Sequence, residues 1–553
     1  MENLQKVKIR LVFSTSVLFV IFSLIGFFVI DTVSIKKKIN LVQKINEDIK
    51  PNKNQRGKIL DRNGYILATT IETEDLIINP SLFKNPKETI KNIRETILQN
   101  KFDSNLTKVK SGQKYLKIKK NISKFEYKKI LMAGYPGIAI EKSSIRKYPG
   151  ENIASHIIGN VNTDGIGVSG IELKFQKELS HGKEIKLTLN AGVQNILRNL
   201  IFDQIQKFDA DGGAGVLLHC KNGEIHALVS LPDYDNNKVN NLNNNQKFNK
   251  ATKGIYELGS TLKIFNAAMA LESGIFKDND LIDVSKPLKI SSKLIKDHRP
   301  LNFSINLPEV LVHSSNIGSA KIARTLGHEI QQKYINLLGF NKKINLEIIE
   351  TGKPRIINDQ RQSSIMTKSY GYGIQISPLH LATGTASVLN DGHLIKPKLV
   401  VNKKNKQENK KIFSDKTSKI LRNILYLVVN DKSGTGKLAN APKYLVGGKT
   451  GTAEKMDKET KKYSKSKKIV AFTGAFPINN PKFAFTIMVD NPKPKKFSNM
   501  LATGGWVVAP IVKKFVTRTA PILGVYPSTN EEIKKFVDDN KYKIREQGYK
   551  SGI

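Results

Sequence analysis

The part of the chain from Gly212 to Asp490 begins and ends with strand-like segments and has helix-like segments between them. At its start, GGAGVLLHC and EIHALVSLP flank the turn Lys221-Asn222-Gly223, which is the pattern of a β-hairpin. Near its end follow three more strand candidates, YLVGGKTGTAEK, IVAFTGAFP and KFAFTIMVD. This order predicts an α+β domain whose sheet is closed by the C-terminal end of its own sequence.

Two shorter patterns extend this prediction. The segment RGKILDRNGYILATT, which begins at Arg56, is typical of two strands joined by a turn at Asn63-Gly64. Residues 260–273 are predicted to form a helix that ends at Gly274, where glycine is favoured as a C-terminal cap.

The run from Leu11 to Ile30 contains twenty residues without a charge, which as a helix is long enough to span a bilayer. A cleaved signal peptide would have a shorter apolar region and a small-residue cleavage site, yet no alanine occurs before Ala68. We therefore predict a retained single-pass anchor. Basic residues flank the run on both sides, so the positive-inside rule does not set its orientation.

The formal net charge is +42 at pH 7, which suggests an anionic partner or a compositional bias. Because the basic residues are spread along the whole chain and no nucleic-acid motif is present, we favour compositional bias and predict no nucleic-acid partner. The single cysteine, Cys220, excludes an intramolecular disulfide and any multi-cysteine metal site. His328-Glu329 lacks the second histidine of a zinc-binding helix, so neither a metal nor a cofactor is predicted.

The stretch YELGSTLKIF places Ser260 and Lys263 three residues apart at the start of an apolar helix. Residues i and i+3 of a helix share a face, so the two side chains can meet. Burial disfavours an ammonium ion and lowers the lysine pKa, which makes Lys263 a candidate general base for the Ser260 hydroxyl. The helix start also favours developing negative charge.

The S-x-x-K spacing is a weak signal on its own. It recurs in lysine-rich polar surroundings, where we interpret it as chance, at Ser34, Ser111, Ser144, Ser180 and Ser464. Two further motifs give it weight, namely S-x-N at Ser314-Ser315-Asn316 and K-T-G at Lys449-Thr450-Gly451 with Thr452 after it. A second S-x-N, at Ser528, lies in a proline-flanked tail and is interpreted as a decoy. The small residues of K-T-G let a substrate backbone pair along an edge strand while the lysine and threonines meet a carboxylate.

The three motifs in this order are those of penicillin-recognising serine enzymes. With them the chain resembles the class B penicillin-binding proteins over nearly its full length. RGKILDRNGYILA and GIGVSGIELKFQKEL are similar to the entry into and exit from the family's N-terminal non-catalytic domain. YELGSTLKIF, SSNIGSAKIA and ATGGWVVAPIV most resemble the septal D,D-transpeptidases of cell division.

The resemblance implies a penicillin-recognising transpeptidase fold, in which an antiparallel sheet is flanked by helices and joined by an all-helical part. It implies five regions along the chain: a cytoplasmic segment (1–10), a transmembrane anchor (11–31), a non-catalytic pedestal domain (32–185), a transpeptidase domain (186–525) and a C-terminal tail (526–553). The catalytic domain is then periplasmic and held at the inner membrane.

The resemblance also implies the role of each site residue. Ser260 attacks the penultimate D-alanine carbonyl of a stem pentapeptide, Lys263 takes its proton, and Ser314 relays a proton between Lys449 and the leaving group. The substrate-holding groups are the Asn316 side chain, the Thr450 and Thr452 hydroxyls on either side of Gly451, and the Ser260 and Thr452 backbone N–H groups as an oxyanion hole.

The partners that the resemblance implies are stem peptides of lipid II-derived glycan strands, β-lactams, a membrane glycan polymerase of the FtsW type and other division proteins. Several alternatives stay open at this point. They are an elongation-type transpeptidase, a hydrolase that passes the acyl group to water, and a membrane-anchored β-lactam-binding scaffold or sensor without turnover.

Overall fold

The computed structural model describes residues 16, 18–23, 55–93, 114–135, 137–290, 293–401, 410–457, 459–460, 462–539 and 542–545. The predicted cytoplasmic segment and most of the predicted anchor lie outside the described residues, although residues 16 and 18–23 are helical. Among the described residues, no helix combines the length and the apolar character needed to cross a membrane. The anchor therefore stays a prediction. Residues Arg56–Leu179 and Lys183–Ile553 form one compact unit.

The N-terminal part of this unit is built on a small sheet. Its strands are β1 (Ile59–Leu60), β2 (Ile66–Ile78), β3 (Leu116–Lys119), β4 (Ile138–Lys147) and β5 (Ile185–Lys186), and its helices are α1 (Pro86–Asn92), α2 (Lys124–Ala133), α3 (Ser155–Ile158), α4 (Gly170–Lys174) and α5 (Gln176–Ser180). The strand order is β3-β2-β1-β5, and β4 also pairs with β2. The predicted turn is confirmed, because Gly64 has a φ of +89° between the antiparallel strands β1 and β2.

A buried ion cluster ties this part together. The Glu172 carboxylate on α4 is completely buried and accepts hydrogen bonds from Arg56 Nε at 2.6 Å and Arg146 Nε at 2.7 Å. The carboxylate of Glu172 on α4 thus links Arg56, which precedes β1, to Arg146 of β4. Buried charges need such partners, because removing one leaves the others uncompensated in a medium of low polarity.

The larger part begins with helix α6 (Ala191–Phe208) and the predicted hairpin, β6 (Gly212–His219) and β7 (Ile225–Leu231), which is confirmed as an antiparallel pair. Helices and short strands follow: α7 (Asn244–Lys247), α8 (Lys263–Glu272), β8 (Ile282–Asp283), β9 (Leu288–Ile290), β10 (Lys293–Ile295), β11 (Ser304–Ile305), α9 (Leu307–Val312), α10 (Asn316–Leu337), β12 (Arg355–Ile356), α11 (Gln362–Lys368), β13 (Ile374–Gln375), α12 (Pro378–Leu389) and α13 (Asp415–Asn430). Three short 3-10 turns in this larger part are Gly259–Leu262, Lys437–Ala439 and Lys496–Ser498.

The chain then returns to the sheet. The three late strands are found as predicted, and three helices follow them among the described residues: β14 (Gly447–Met456), β15 (Tyr463–Phe476), β16 (Phe483–Asp490), α14 (Gly504–Val507), α15 (Ala509–Thr519) and α16 (Asn530–Asp538). The strand order is β14-β15-β16-β6-β7 with every pair antiparallel. Because β16 pairs with β6, the prediction of a sheet closed by the C-terminal strands is confirmed, and β14 lies at its edge.

Both faces of this sheet are covered. Helix α12 is buried along its whole length and packs against β6 and β16 on one face. On the other face, α6 and α15 enclose a core that includes Leu197, Phe485 and Phe515. Helix α8 packs against α10 and α13 in the helical part. The sheet therefore presents only its edges to incoming groups, and β14 forms the edge beside the helical part.

The helix predicted over 260–273 is present with one difference. Its first turn is a 3-10 turn, and the α-helix runs from Lys263 to Glu272. Gly274 follows the C-cap with a φ of +71°, as predicted. The tighter first turn accompanies the left-handed backbone of Gly259, which has a φ of +58° and leads directly into Ser260.

The buried ion cluster gives a stability prediction. Replacing Glu172 with glutamine leaves two arginines without their anion, so we expect the free energy of unfolding to fall by about 3–5 kcal/mol. Urea denaturation followed by fluorescence measures this loss. Asp359→Asn is the matched control, because Asp359 pairs with Arg361 at the solvent-exposed surface and is expected to change stability far less. An equal loss of unfolding free energy in both variants would contradict the stabilising role of the buried ion cluster.

Candidate active site

The turn that carries Ser260 lies directly against the K-T-G strand. A Cβ atom on Gly259 would come within 2.6 Å of the Thr452 carbonyl oxygen, and one on Gly451 within 2.3 Å of the Leu258 carbonyl oxygen. Only glycines permit this approach, because any side chain would collide with backbone. Ser260 itself is partly exposed. The turn that carries the nucleophile candidate and the edge strand are therefore in contact, although these contacts join residues 193 positions apart in the sequence.

Lys263 begins helix α8 and has 1% of its surface exposed. Its Nζ donates to the Ser314 carbonyl oxygen at 2.6 Å, to Asn316 Oδ1 at 2.7 Å and to Ser314 Oγ at 3.2 Å. In the part of the chain that the structure describes, no hydrogen bond joins Lys263 Nζ to Ser260 Oγ, although the residues are one turn apart. The first and second motifs are thus brought together through the lysine.

Lys449 reaches the same serine from the edge strand. It is completely buried, and its Nζ lies 3.0 Å from Ser314 Oγ and 3.1 Å from the Thr450 carbonyl oxygen. Ser314 has a φ of +61°, a left-handed conformation that non-glycine residues seldom adopt. This strained backbone places one hydroxyl between two lysines, and such conformations persist where surrounding structure enforces them.

Burial controls the charge of both lysines. It lowers the pKa of Lys263 from 10.5 to about 7, against the opposing attraction of Asp297. Burial also lowers the pKa of Lys449 well below 10.5, and the nearby charge of Lys263 lowers it further. Neither lysine has a carboxylate within salt-bridge distance among the described residues. The pair therefore readily gives up a proton near neutral pH, which leaves an amine able to act as a base.

Asp297 is a site residue that the sequence did not reveal. Its carboxylate accepts hydrogen bonds from Ser315 Oγ at 2.6 Å, from Ile317 N at 3.0 Å and from Asn316 N. It thereby caps helix α10 and fixes the backbone of Asn316. Asp297 lies in a short segment, KDHRP, without a motif that would separate it from other acidic residues.

The two threonines of the K-T-G region lie on one face of β14, because alternate residues of a strand point the same way. Thr450 Oγ1 hydrogen-bonds to Thr435 Oγ1 at 3.0 Å, and Thr452 Oγ1 accepts from Gly504 N at 3.1 Å. Thr435 is a second contributor that the sequence analysis missed. The hydroxyls stand beside Lys449 on an edge strand, an arrangement suited to binding a carboxylate.

Three of the S-x-x-K repeats that we interpreted as chance lie within strands or helices outside the site. Ser144 lies in β4, Ser464 lies in β15 and Ser180 ends α5, whereas Ser34 and Ser111 lie outside the described residues. Ser528 lies just before α16, whose N-cap is Thr529.

Comparison with known proteins identifies the family. Residues 213–517 match the model of the penicillin-binding protein transpeptidase domain, and residues 51–201 match that of the penicillin-binding protein dimerisation domain. The chain has the fold of penicillin-binding protein 3 from Mycobacterium tuberculosis, solved in complexes with aztreonam and with ampicillin. The TM-score is 0.68 at 20% identity, over 86% of this chain and 98% of the chain in the aztreonam complex.

Two curated relatives are similar over most of the sequence. The probable peptidoglycan D,D-transpeptidase FtsI of Caulobacter vibrioides is 31% identical, over 86% of this chain and 82% of that protein. The stage V sporulation protein D of Bacillus subtilis is 29% identical, over 87% of this chain and 80% of that protein. These matches confirm the resemblance, and the chain belongs to the penicillin-binding protein transpeptidase family.

Proposed function

We propose that the protein is a peptidoglycan D,D-transpeptidase that cross-links stem peptides through an acyl-enzyme on Ser260. The observation that carries this proposal is the Ser314 hydroxyl held between the buried amines of Lys263 and Lys449. Such a pair supplies both a base and a proton donor beside a partly exposed serine. The relatives named as D,D-transpeptidases support the substrate class.

Acylation begins when neutral Lys263 takes the proton of Ser260 Oγ, while that oxygen bonds to the penultimate D-alanine carbonyl carbon. The carbonyl oxygen becomes an oxyanion, for which the Ser260 and Thr452 backbone N–H groups are the proposed donors. The peptide C–N bond then breaks. The departing nitrogen of the terminal D-alanine receives a proton through Ser314 from the lysine pair, and free D-alanine leaves.

The proposed carboxylate site lies on β14. The terminal carboxylate of the donor peptide binds the hydroxyls of Thr450 and Thr452, beside the positive end of Lys449 when it is protonated. Gly451 lies between the threonines and adds no side chain to that part of the edge strand. Asn316, which Asp297 fixes in place, holds both the substrate amide and Lys263.

In the second half of the reaction, an amine of a neighbouring stem peptide attacks the acyl carbon. Lys263 again takes the proton of the nucleophile, and the Ser260 C–O bond breaks to restore the free hydroxyl. Attack by water instead of an amine would give hydrolysis at the same site, so the acceptor decides between transpeptidase and carboxypeptidase outcomes.

We further propose that the cross-linking takes place at the division septum. The relatives named FtsI in Caulobacter and Buchnera, together with the motifs SSNIGSAKIA and ATGGWVVAPIV, support this assignment. The similarity to stage V sporulation protein D keeps another class B role as the second candidate. The proposal includes an inner-membrane anchor, a periplasmic catalytic domain, β-lactam inhibition, and FtsW-type polymerase and division-protein partners.

The nucleophile assignment predicts the outcome of penicillin labelling. After incubation of the full chain with benzylpenicillin, intact-mass analysis should show one stable adduct of one penicillin per chain. Ser260→Ala should show none, because it lacks the attacking oxygen. Ser464→Ala is the matched control, since Ser464 has the same S-x-x-K spacing in strand β15, and it should label like wild type. An adduct that survives Ser260→Ala would overturn the site.

The lysine assignment predicts a pH dependence. Burial lowers the pKa of Lys263 to about 7, so its neutral form is lost as the pH falls through that value. We expect the acylation rate constant to rise with pH through about 7 and to level off above it. Below the midpoint it should fall about tenfold per pH unit.

Stopped-flow mixing with a fluorescent penicillin measures that profile. Lys263→Arg, which stays protonated, should slow acylation by at least about 100-fold at every pH. A rate profile without a break between pH 5 and 9 would contradict the role of Lys263.

A further inference from the structure

The last described residues of the chain cross the helical part and reach α9, the helix that precedes the S-x-N motif. We call residues 530–539 and 542–545 the C-terminal strap. In α16, Phe536 meets Tyr426 of α13 edge to face, with ring centroids 5.1 Å apart. Arg545 then contacts Glu309 of α9, the short helix that ends at Val312, just before the S-x-N motif. Tyr542 contacts Asp278, whose carbonyl oxygen accepts from the first residue of α9. The strap thus packs against the helix that leads into the S-x-N motif.

Arg545 holds a completely buried carboxylate. Its backbone N, Nε and Nη2 donate to the two carboxylate oxygens of Glu309 at 3.0, 2.9 and 2.7 Å, and Nη2 also donates to the Ser304 carbonyl oxygen at 2.6 Å. The guanidinium lies 4.9 Å from the centre of the Phe303 ring. Among the described residues, Arg545 is the only cation in an ion pair with Glu309. Without it the carboxylate would be a buried charge without a counterion.

Glu309 is part of the helix that orients the motif. Its carboxylate also accepts from Asn306 N at 3.0 Å, which caps the start of α9. The last turn of α9 then fixes the motif through three backbone hydrogen bonds: His313 N to Glu309 O at 2.9 Å, Ser314 N to Leu311 O at 3.3 Å, and Ser315 N to Val310 O at 2.9 Å. A shift of α9 therefore moves the Ser314 hydroxyl relative to the two lysines.

Tyr542 provides a second attachment at the same helix start. Its hydroxyl donates to the Asp278 carboxylate. The Asp278 carbonyl oxygen accepts from the backbone N of Leu307, the first residue of α9, at 3.3 Å. Arg545 therefore contacts α9 directly through Glu309, and Tyr542 is linked to the first residue of α9 through Asp278. Together these two attachments restrict the movement of this six-residue helix.

We propose that the C-terminal strap positions the S-x-N motif, with Arg545 as a positioning residue that acts through Glu309 and α9 on Ser314. This inference rests on the proposed function, because its readout is acylation of Ser260. Arg545 touches none of the proposed reacting groups. The strap sets the geometry between Ser314 Oγ and the two lysine amines, and small displacements of catalytic groups have large effects on rate.

The test uses the full chain with Arg545→Met, and Lys543→Met as the matched control. Lys543 is an exposed cation of the strap and forms no hydrogen bond or ion pair with the residues that the structure describes. Stopped-flow acylation by a fluorescent penicillin, well below the unfolding temperature, gives a rate constant and a final amplitude. We expect Arg545→Met to lower the rate constant about tenfold at full amplitude. Lys543→Met should match wild type.

A purely stabilising role would give a different result, namely a lower amplitude because fewer chains are folded, with an unchanged rate constant. That result, or no change at all, would overturn the proposal. Should Arg545→Met fail to fold, Tyr542→Phe tests the positioning role of the strap with a smaller structural change. It removes one hydroxyl from the strap and is expected to slow acylation about threefold at full amplitude. A rate constant equal to that of wild type would contradict the positioning role of the strap.

Arg545→Lys provides the rescue. It keeps the positive charge beside Glu309 but loses the planar guanidinium that donates to both carboxylate oxygens. Its acylation rate constant should therefore lie between those of Arg545→Met and wild type. A wild-type chain that forms no Ser260-dependent adduct would overturn the proposed function itself. Normal labelling of wild type, together with unchanged acylation rate constants in the strap variants, would overturn the positioning role of the strap but leave the proposed function intact.

Discussion

The site depends on one hydroxyl shared by two buried amines. Ser314 Oγ lies 3.2 Å from Lys263 Nζ and 3.0 Å from Lys449 Nζ. Two ammonium ions this close, out of water and without a paired carboxylate among the described residues, repel each other and lack solvation. The arrangement is stable when one amine is neutral. In the proposed mechanism that neutral amine is the base beside the serine nucleophile, so the energetic cost of burying the lysines would also be the origin of the chemistry.

Three separate elements of the fold bring these two amines and the Ser314 hydroxyl to one place. Lys449 comes from the edge strand of a sheet that closes only when β16 pairs with β6, and Lys263 comes from a helix start pressed against that strand. Ser314 comes from a third element, a left-handed residue between α9 and α10. The Asp297 carboxylate secures one side of this third element, and the α9 helix with the C-terminal strap secures the other. Each of these three site residues is thus fixed by contacts distant in sequence.

Local patterns predicted much of this structure. The two hairpins, the three late strands and the helix that ends before Gly274 follow from turn residues and alternation, which act over a few residues. Ser260 and Lys263 were identified because a lysine in an apolar run is costly, and Lys449 was identified through the K-T-G motif. Asp297, Thr435 and Arg545 could not be found in this way. Their roles come from packing across 15 to over 200 residues of sequence, and their own neighbourhoods are ordinary polar segments.

The proposed chemistry requires that the pKa values of Lys263 and Lys449 lie well below 10.5. The most direct measurement is an NMR titration of the full chain carrying ¹³C-labelled lysine side chains, with Lys263→Arg used to assign its resonance. We expect two Cε resonances that titrate well below the ordinary value of 10.5, one of them near 7 and absent from Lys263→Arg. If every lysine titrates as one group near 10.5, both amines are protonated at neutral pH, and the proposed base does not exist.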